Sequence, residues 1–334
     1  MWNHGITLGI LLAFIFGLPG DRATRDFPRV TVVGDTEYVT LNHLARHYGF
    51  PRPRPQERRV VLENDQHRLV LDRDARRAEL NGVTVWLHRP VEPHRRTWRL
   101  TAADVRTVLD PVLRPARHLQ EAGYQVIVLD AGHGGRDEGG RGVMGTLEKD
   151  MTLIITHKVA ALLEQGGHHV YLTRQDDRYL SLEERVRMTD EVGGDLFVSI
   201  HFNTAGNAEA RGTETFVLSA GGMPSTSDRE QSSYPPATPA NEYDGANMLL
   251  GYFIQRQILE ATGNEDRGVR RSRFYVLREA VSPAVLVEGA FLTNVREERN
   301  VHRPEYQQQL AQGIAQGILN YLSATLRAQL EDTL

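Results

Sequence analysis

Four side chains in this sequence have the types and settings that acid–base or metal chemistry uses: His133, Glu148, His201 and Glu288. His133 sits in a loop that also holds Gly132, Gly134, Gly135, Gly139, Gly140 and Gly142. Glycines permit φ > 0 and close backbone approach, so such a loop can fold tightly around something small. Glu148 follows 15 residues later, far enough for the loop to bring an imidazole and a carboxylate together. Zinc accepts such a pair, at about 2.0 to 2.2 Å from nitrogen or oxygen. His201 and Glu288 each close an apolar run, DLFVSIHFN (195–203) and PAVLVEGAFLTN (283–294). Taken singly these are weak signals. A lone His after a strand is more often a hydrogen-bonded structural residue, and a lone Glu at a strand end usually reaches water.

The elements that must position them can be read from the pattern. Val126, Ile127, Val128 and Leu129 lack polar alternation, which suits a strand buried on both faces of a mostly parallel sheet, ended by Asp130. A helix opens at about Glu148, with Leu153, Ile154, Ala160 and Leu163 giving its apolar stripe. In open α/β sheets, ligands bind at the carboxyl edge of such strands. Neither GxxxxGK[ST] nor HExxH occurs, so a P-loop phosphate cradle and a helix-borne zinc motif are both excluded.

As a set, DAGHGG with GTLEKD, LTRQDD (172–177), SIHFN (199–203), RGTETFVLS (211–219), DRGVRRSRFYVLR (266–278) and PAVLVEGAFLTN resemble the zinc-dependent N-acetylmuramoyl-L-alanine amidases of the type 3 amidase family. The blocks run in the family's order from about Gln125 to about Leu322. The resemblance implies an α/β fold with a mostly parallel twisted sheet and flanking helices. It implies Zn2+ held by His133, Glu148 and His201 with a fourth position for water, and Glu288 as general base. The bond cut would join the lactyl carboxyl of N-acetylmuramic acid to L-alanine, which makes peptidoglycan the partner. Asp130 is expected to accept a hydrogen bond from a ligand imidazole or to cap its strand, Asn203 to meet substrate or cap a loop, and Arg174 and Arg185 to form structural ion pairs in preference to binding substrate carboxylates. A zinc peptidase would use the same donor set on a different amide; a binding protein would need a degenerate one.

At 334 residues the chain suggests two domains. With 40% hydrophobic and 25% charged residues and a net charge of −4, it is composed as a soluble globular protein, and nucleic acid is excluded as a general partner. Residues 1–20 contain an apolar run, Ile6 to Leu18, too short to span a bilayer; it reads as a signal peptide or N-terminal anchor, the only route by which a membrane would be a partner. The absence of cysteine is compatible with an oxidising compartment. The expected location is the cell envelope, periplasmic or secreted. Nothing in the motifs names an activator protein.

Residues 27–117 read as short strands and turns. Two hairpins turn at Asp65-Gln66 and at Asn81-Gly82, and two β runs lead through Thr40 or Thr101 into small amphipathic helices. This small β-rich α+β segment resembles the copper amine oxidase N-terminal-like domain, a stalk or wall-binding unit; that name implies no copper site. The catalytic domain is placed at 124–330. Within it, Ser181 and Glu184 form a capping box, RFYVLR (273–278) reads as a β run, 219–245 as a long mobile loop at the rim of the site, and 304–330 as a final helix. No helical insertion that would cover a metal is expected.

Overall fold

The computed structural model describes residues 27–119, 126–229 and 231–332, with side chains described to 326. The expected signal peptide or anchor at 1–20 lies outside the described residues. Among those described, no helix is long and apolar enough to cross a membrane.

The N-terminal segment runs β1 (Val30–Val33), β2 (Thr36–Thr40), α1 (Leu41–His47), β3 (Arg59–Glu63), β4 (Arg68–Asp72), β5 (Arg77–Leu80), β6 (Val83–Trp86), β7 (Glu92–His94), β8 (Thr97–Thr101), α2 (Ala102–Asp104) and α3 (Asp110–Leu113), with a turn of π-helix between the last two. Both expected hairpins form, β3–β4 and β5–β6. Thr40 and Thr101 cap the helices that follow them by accepting from the backbone N–H three residues on.

The second segment supplies β9 (Val126–Ala131), α4 (Glu148–Gln165), β10 (His169–Leu172), α5 (Leu182–Glu191), β11 (Leu196–Asn203), β12 (Thr213–Leu218), α6 (Asp244–Thr262), β13 (Asp266–Ser272), α7 (Tyr275–Arg278), β14 (Ala284–Phe291), α8 (Val295–Val301) and α9 (Pro304–Asp332). Its strands lie in the order β10-β9-β11-β14-β12-β13. Neighbours are parallel except β12 and β14, which are antiparallel. The α/β expectation therefore holds, with the mostly parallel sheet twisted between two helical layers.

The sheet does not stop there. β6 pairs in parallel with β13, Val85 opposite Val269, and β5, β4 and β3 follow, giving ten strands in one sheet across the boundary near residue 117. Trp86 Nε1 donates to the Arg267 carbonyl at 2.8 Å, and Arg271 Nη2 to the Thr107 carbonyl at 2.9 Å.

Strand alternation decides which residues can do chemistry. On β11, Val198, Ile200 and Phe202 pack into the large core with Ile155 of α4 and Leu310 of α9. Phe197 faces the other way, in a smaller core with Leu286, Val276 and Leu277 beside α5 and α7. Ser199, His201 and Asn203 share that second face by the period of two, and so does Glu288 with Leu286 on β14.

Two expectations for the second segment need correcting. RFYVLR is not a strand. The strand is the preceding DRGVRRS, whose charged residues hide it, and the chain bends at Phe274 into the short helix α7, which buries Val276 and Leu277. Nor do the described residues of 219–245 line the site. They are held against the N-terminal strands, where Arg76 donates to the carbonyls of Ser225 and Thr226 and Arg273 to those of Ala220 and Met223. The helix α8 was not foreseen; Asn294 caps it by accepting from the N–H groups of Arg296 and Glu297.

Candidate metal and catalytic site

His133, Glu148 and His201 converge, each offering one donor atom, and these atoms all lie within 4.8 Å of one another. Each arrives for a local reason. His133 follows β9 with φ at 61°, a left-handed conformation uncommon for a residue with a Cβ. The loop is clamped from behind by two buried arginines. Arg174 donates to the carbonyls of Ala131, Gly132, Lys149 and Asp176, and Arg185 to those of Ala131 and His133. Arg185 forms the expected structural ion pair, with Asp130; Arg174 is held instead by backbone carbonyls.

Glu148 is the first residue of α4, 5% exposed. Its Oε1 lies 3.1 Å from His133 Nε2 and 2.9 Å from His201 Nδ1. The N–H groups of Phe202 and Gly140 donate to its Oε1 and Oε2, at 3.1 and 2.6 Å. Burial pushes this carboxyl up, but the two imidazoles outweigh it and hold it well below the usual carboxylate range. The two rings meet edge to face, centroids 4.9 Å apart.

The glycines explain themselves at close range. A Cβ on Gly132 would stand 2.3 Å from the His201 ring, and one on Gly139 would stand 2.5 Å from the His133 ring and 2.7 Å from Glu148 Oε2. The loop is glycine-rich because its backbone packs directly on the donor groups.

Glu288 lies on β14 directly opposite His201 of β11. Its Oε2 is buried with no hydrogen-bond partner among the described residues. Burial, and then the charges of Glu148 and Glu214, raise its pKa well above that of an ordinary Glu. A buried carboxylate oxygen left unpaired beside two imidazoles and a second carboxylate is costly unless something positive or a proton donor comes to it.

Asp130 plays neither role expected of it. It does not touch a ligand imidazole; it is 1% exposed, pairs with Arg185 at 2.5 Å and accepts from Thr173 and Ser199. The register sets Asp130 opposite Ser199, two residues before His201 on β11, and its carboxylate is taken up by Arg185, Thr173 and Ser199. The residue that does hold a donor imidazole is Asp137, whose Oδ2 lies 3.0 Å from His133 Nδ1. Burial lowers the His133 pKa, yet Glu148 and Asp137 outweigh it and leave it raised. An acid four residues after a histidine was the available signal. Asn203 meets Glu214, its Nδ2 donating at 2.7 Å.

These groups open onto a cleft of about 350 Å³. Its lining continues from the donors through Asn203 to Tyr179, Leu182 and Phe274 at the mouth, three exposed apolar side chains. A charged centre under a partly apolar rim suits a ligand with both polar and apolar parts.

The chain is similar to known proteins over this segment. It is 35% identical over 229 residues to the YqiI protein of Bacillus subtilis, covering 68% of this chain and 98% of that one. It is 33% identical over 224 residues to the N-acetylmuramoyl-L-alanine amidase AmiA of Escherichia coli, covering 60% of this chain and 78% of that protein. The solved catalytic domain of the N-acetylmuramoyl-L-alanine amidase CwlV from Paenibacillus polymyxa superposes with a TM-score of 0.51 at 35% identity, covering 60% of this chain and 99% of that domain. The family described as N-acetylmuramoyl-L-alanine amidase matches residues 127–320, and the chain with its site belongs to that family of peptidoglycan hydrolases.

Proposed function

We propose that the chain cleaves the amide between N-acetylmuramic acid and L-alanine with zinc held by His133, Glu148 and His201 and with Glu288 as the proton-transferring group. The observation that carries this reading is the convergence of the three donors beside a carboxylate whose Oε2 has no partner. Two neutral imidazoles and one carboxylate are a zinc donor set, and three protein donors leave a fourth place open. Zinc there would polarise the scissile carbonyl and acidify water.

The protein's own groups do the rest. Asp137 fixes His133 with Nδ1 as the proton-bearing nitrogen, so that Nε2 presents a lone pair toward Glu148 and His201. The two backbone N–H groups on Glu148 hold its carboxylate at the start of α4. Glu288 accepts a proton from the attacking water and delivers it to the departing nitrogen, because an amine leaves a tetrahedral centre poorly without one. Its high proton affinity favours the first step. The rim of Tyr179, Leu182 and Phe274 offers apolar surface to the sugar and the peptide.

A peptidoglycan substrate requires the enzyme to act in the cell envelope, periplasmic or secreted. The test is to incubate the full chain, with one zinc equivalent, with intact peptidoglycan and to identify released fragments by mass spectrometry. Free stem peptides beginning at L-alanine, abolished by a chelator and restored by zinc, are expected. Glu288→Ala should keep its zinc and lose 10²- to 10⁴-fold in turnover, the usual worth of positioned proton transfer. Zinc lost together with activity in that variant would make Glu288 a ligand instead.

A further inference from the structure

Asn203 lies on β11 two residues beyond His201, on the same face, and lines the cleft. Its Nδ2 is committed to Glu214 Oε1. Glu214 is 4% exposed, and its Oε2 accepts from Arg267 Nε at 2.8 Å and from Arg270 Nη1 at 2.6 Å. Arg270 in turn stands over the ring of Trp86, 5.1 Å from its centroid. A strand of the N-terminal segment thus steadies an arginine that fixes a carboxylate, and the carboxylate fixes an amide in the cleft.

The orientation of that amide follows from donor and acceptor chemistry. A carboxylate only accepts, so Asn203 must turn its NH2 group to Glu214; reversed, two acceptors would face each other with no proton between them. Oδ1 is then the atom left over. It makes no hydrogen bond to the described residues and is not sealed from solvent.

We propose that Asn203 recognises the substrate by accepting one of its amide N–H groups at Oδ1, with Glu214 as the positioning residue that holds it in that sense. The inference rests on the amidase reading, whose substrate carries such N–H groups in two places, the stem peptide and the N-acetyl group of the sugar.

The experiment uses the full chain with zinc and soluble muropeptides, comparing kcat and KM. Asn203→Ala should raise KM about three- to tenfold with little change in kcat, the worth of one uncharged hydrogen bond. Asn203→Asp should lose more, because two carboxylates then face each other. Adding Glu214→Gln to Asn203→Asp is the decisive step. The new amide at 214 can donate to the new carboxylate at 203 while its oxygen still accepts from both arginines, so the acceptor facing the cleft and the charge of the cluster are both restored. KM should return to within about threefold of the wild type. A double variant no better than Asn203→Asp alone, at equal melting temperature, overturns the proposal.

Two modified substrates locate the N–H. One has the acetamido nitrogen of the sugar N-methylated, and the other has the stem-peptide amides beyond the scissile bond N-methylated, so that each removes its N–H donors. The Asn203→Ala defect should vanish on one of them; a defect undiminished on both overturns the proposal. Wild-type turnover in the same assay reports separately on the amidase reading itself.

Discussion

Gly132→Ala asks whether the donor geometry depends on backbone packed against it. Gly132 does not occupy the left-handed region, so alanine imposes no backbone strain there. The new Cβ would stand 2.3 Å from His201 Cε1, 2.4 Å from Nε2 and 2.7 Å from Nδ1. Ordinary carbon contacts are about 3.5 Å, so the ring must withdraw by about 1 Å. Neither backbone can yield easily, because the Gly132 N–H donates to the Ile200 carbonyl at 3.1 Å and ties the loop to β11. Metal–ligand distances tolerate about 0.2 Å. Loss of a supporting group costs about 10- to 100-fold in metal affinity, and displacing a donor itself should cost at least the upper figure, about 2.7 kcal/mol. Zinc affinity, measured by competition with a fluorescent chelator, should fall about 100-fold or more, with turnover falling alongside it. Circular dichroism should stay that of the wild type. Zinc affinity within about threefold of the wild type would show that His201 is not a donor in this geometry.

Other expectations follow from buried charge and from the shared sheet. Asp130→Asn leaves Arg185 buried without its carboxylate, and urea unfolding should show a loss of about 3 kcal/mol; an unmoved midpoint would mean that the pair contributes nothing. Burial raises the carboxyl of Asp244 to about 6 against the Asn241 hydrogen bond and the charge of Arg271. Because the folded pKa exceeds the unfolded one, this group's contribution is fully present below about pH 4 and fades as pH rises through about 6. Asp244→Asn should flatten that part of the melting-temperature profile, and an unchanged profile would refute the assignment. Residues 117–334 alone would lose β6 from the side of β13 and cover from Tyr252 of α6. Gel filtration should show aggregation or a lowered melting temperature; a monodisperse fragment as stable as the full chain would mean that the two segments fold independently.

The chemistry was legible because its signals are local. An apolar run ending in an ionisable residue marks a strand delivering that residue to a sheet edge, and three such ends needed only a common sheet to meet. Glu148 was readable for the same reason, as the first residue of a helix whose apolar stripe begins beside it. Asp130 was misjudged because strand position says which face a side chain takes but not how far along the strand the rings lie. Asp137 won the imidazole by sitting in the same turn as His133. RFYVLR misled because aromatic and aliphatic residues suit a strand as well as one turn of helix packed on a core. The real strand beside it, DRGVRRS, carries three arginines that look like surface and are instead held by Glu214 or buried.

The least legible feature was the union of the two segments, and the reason is physical. Parallel pairing between β6 and β13 joins residues more than 180 positions apart, and neither strand's own pattern says which edge it will meet. Yet the join leaves a trace once the site is known. An open edge on β13 would expose backbone groups to a second chain, and Arg270 would lose the ring of Trp86 and keep only that of Phe216. With β6 in place the edge moves outward to β3, whose Arg59 and Glu63 are exposed charges that discourage further pairing. The N-terminal strands therefore close an edge of the catalytic sheet and, through Trp86, Arg270 and Glu214, reach the amide that faces the substrate. Trp86→Ala in the full chain should accordingly raise KM in the same sense as Asn203→Ala, by a smaller factor. A KM equal to that of the wild type would confine the N-terminal segment to stability alone.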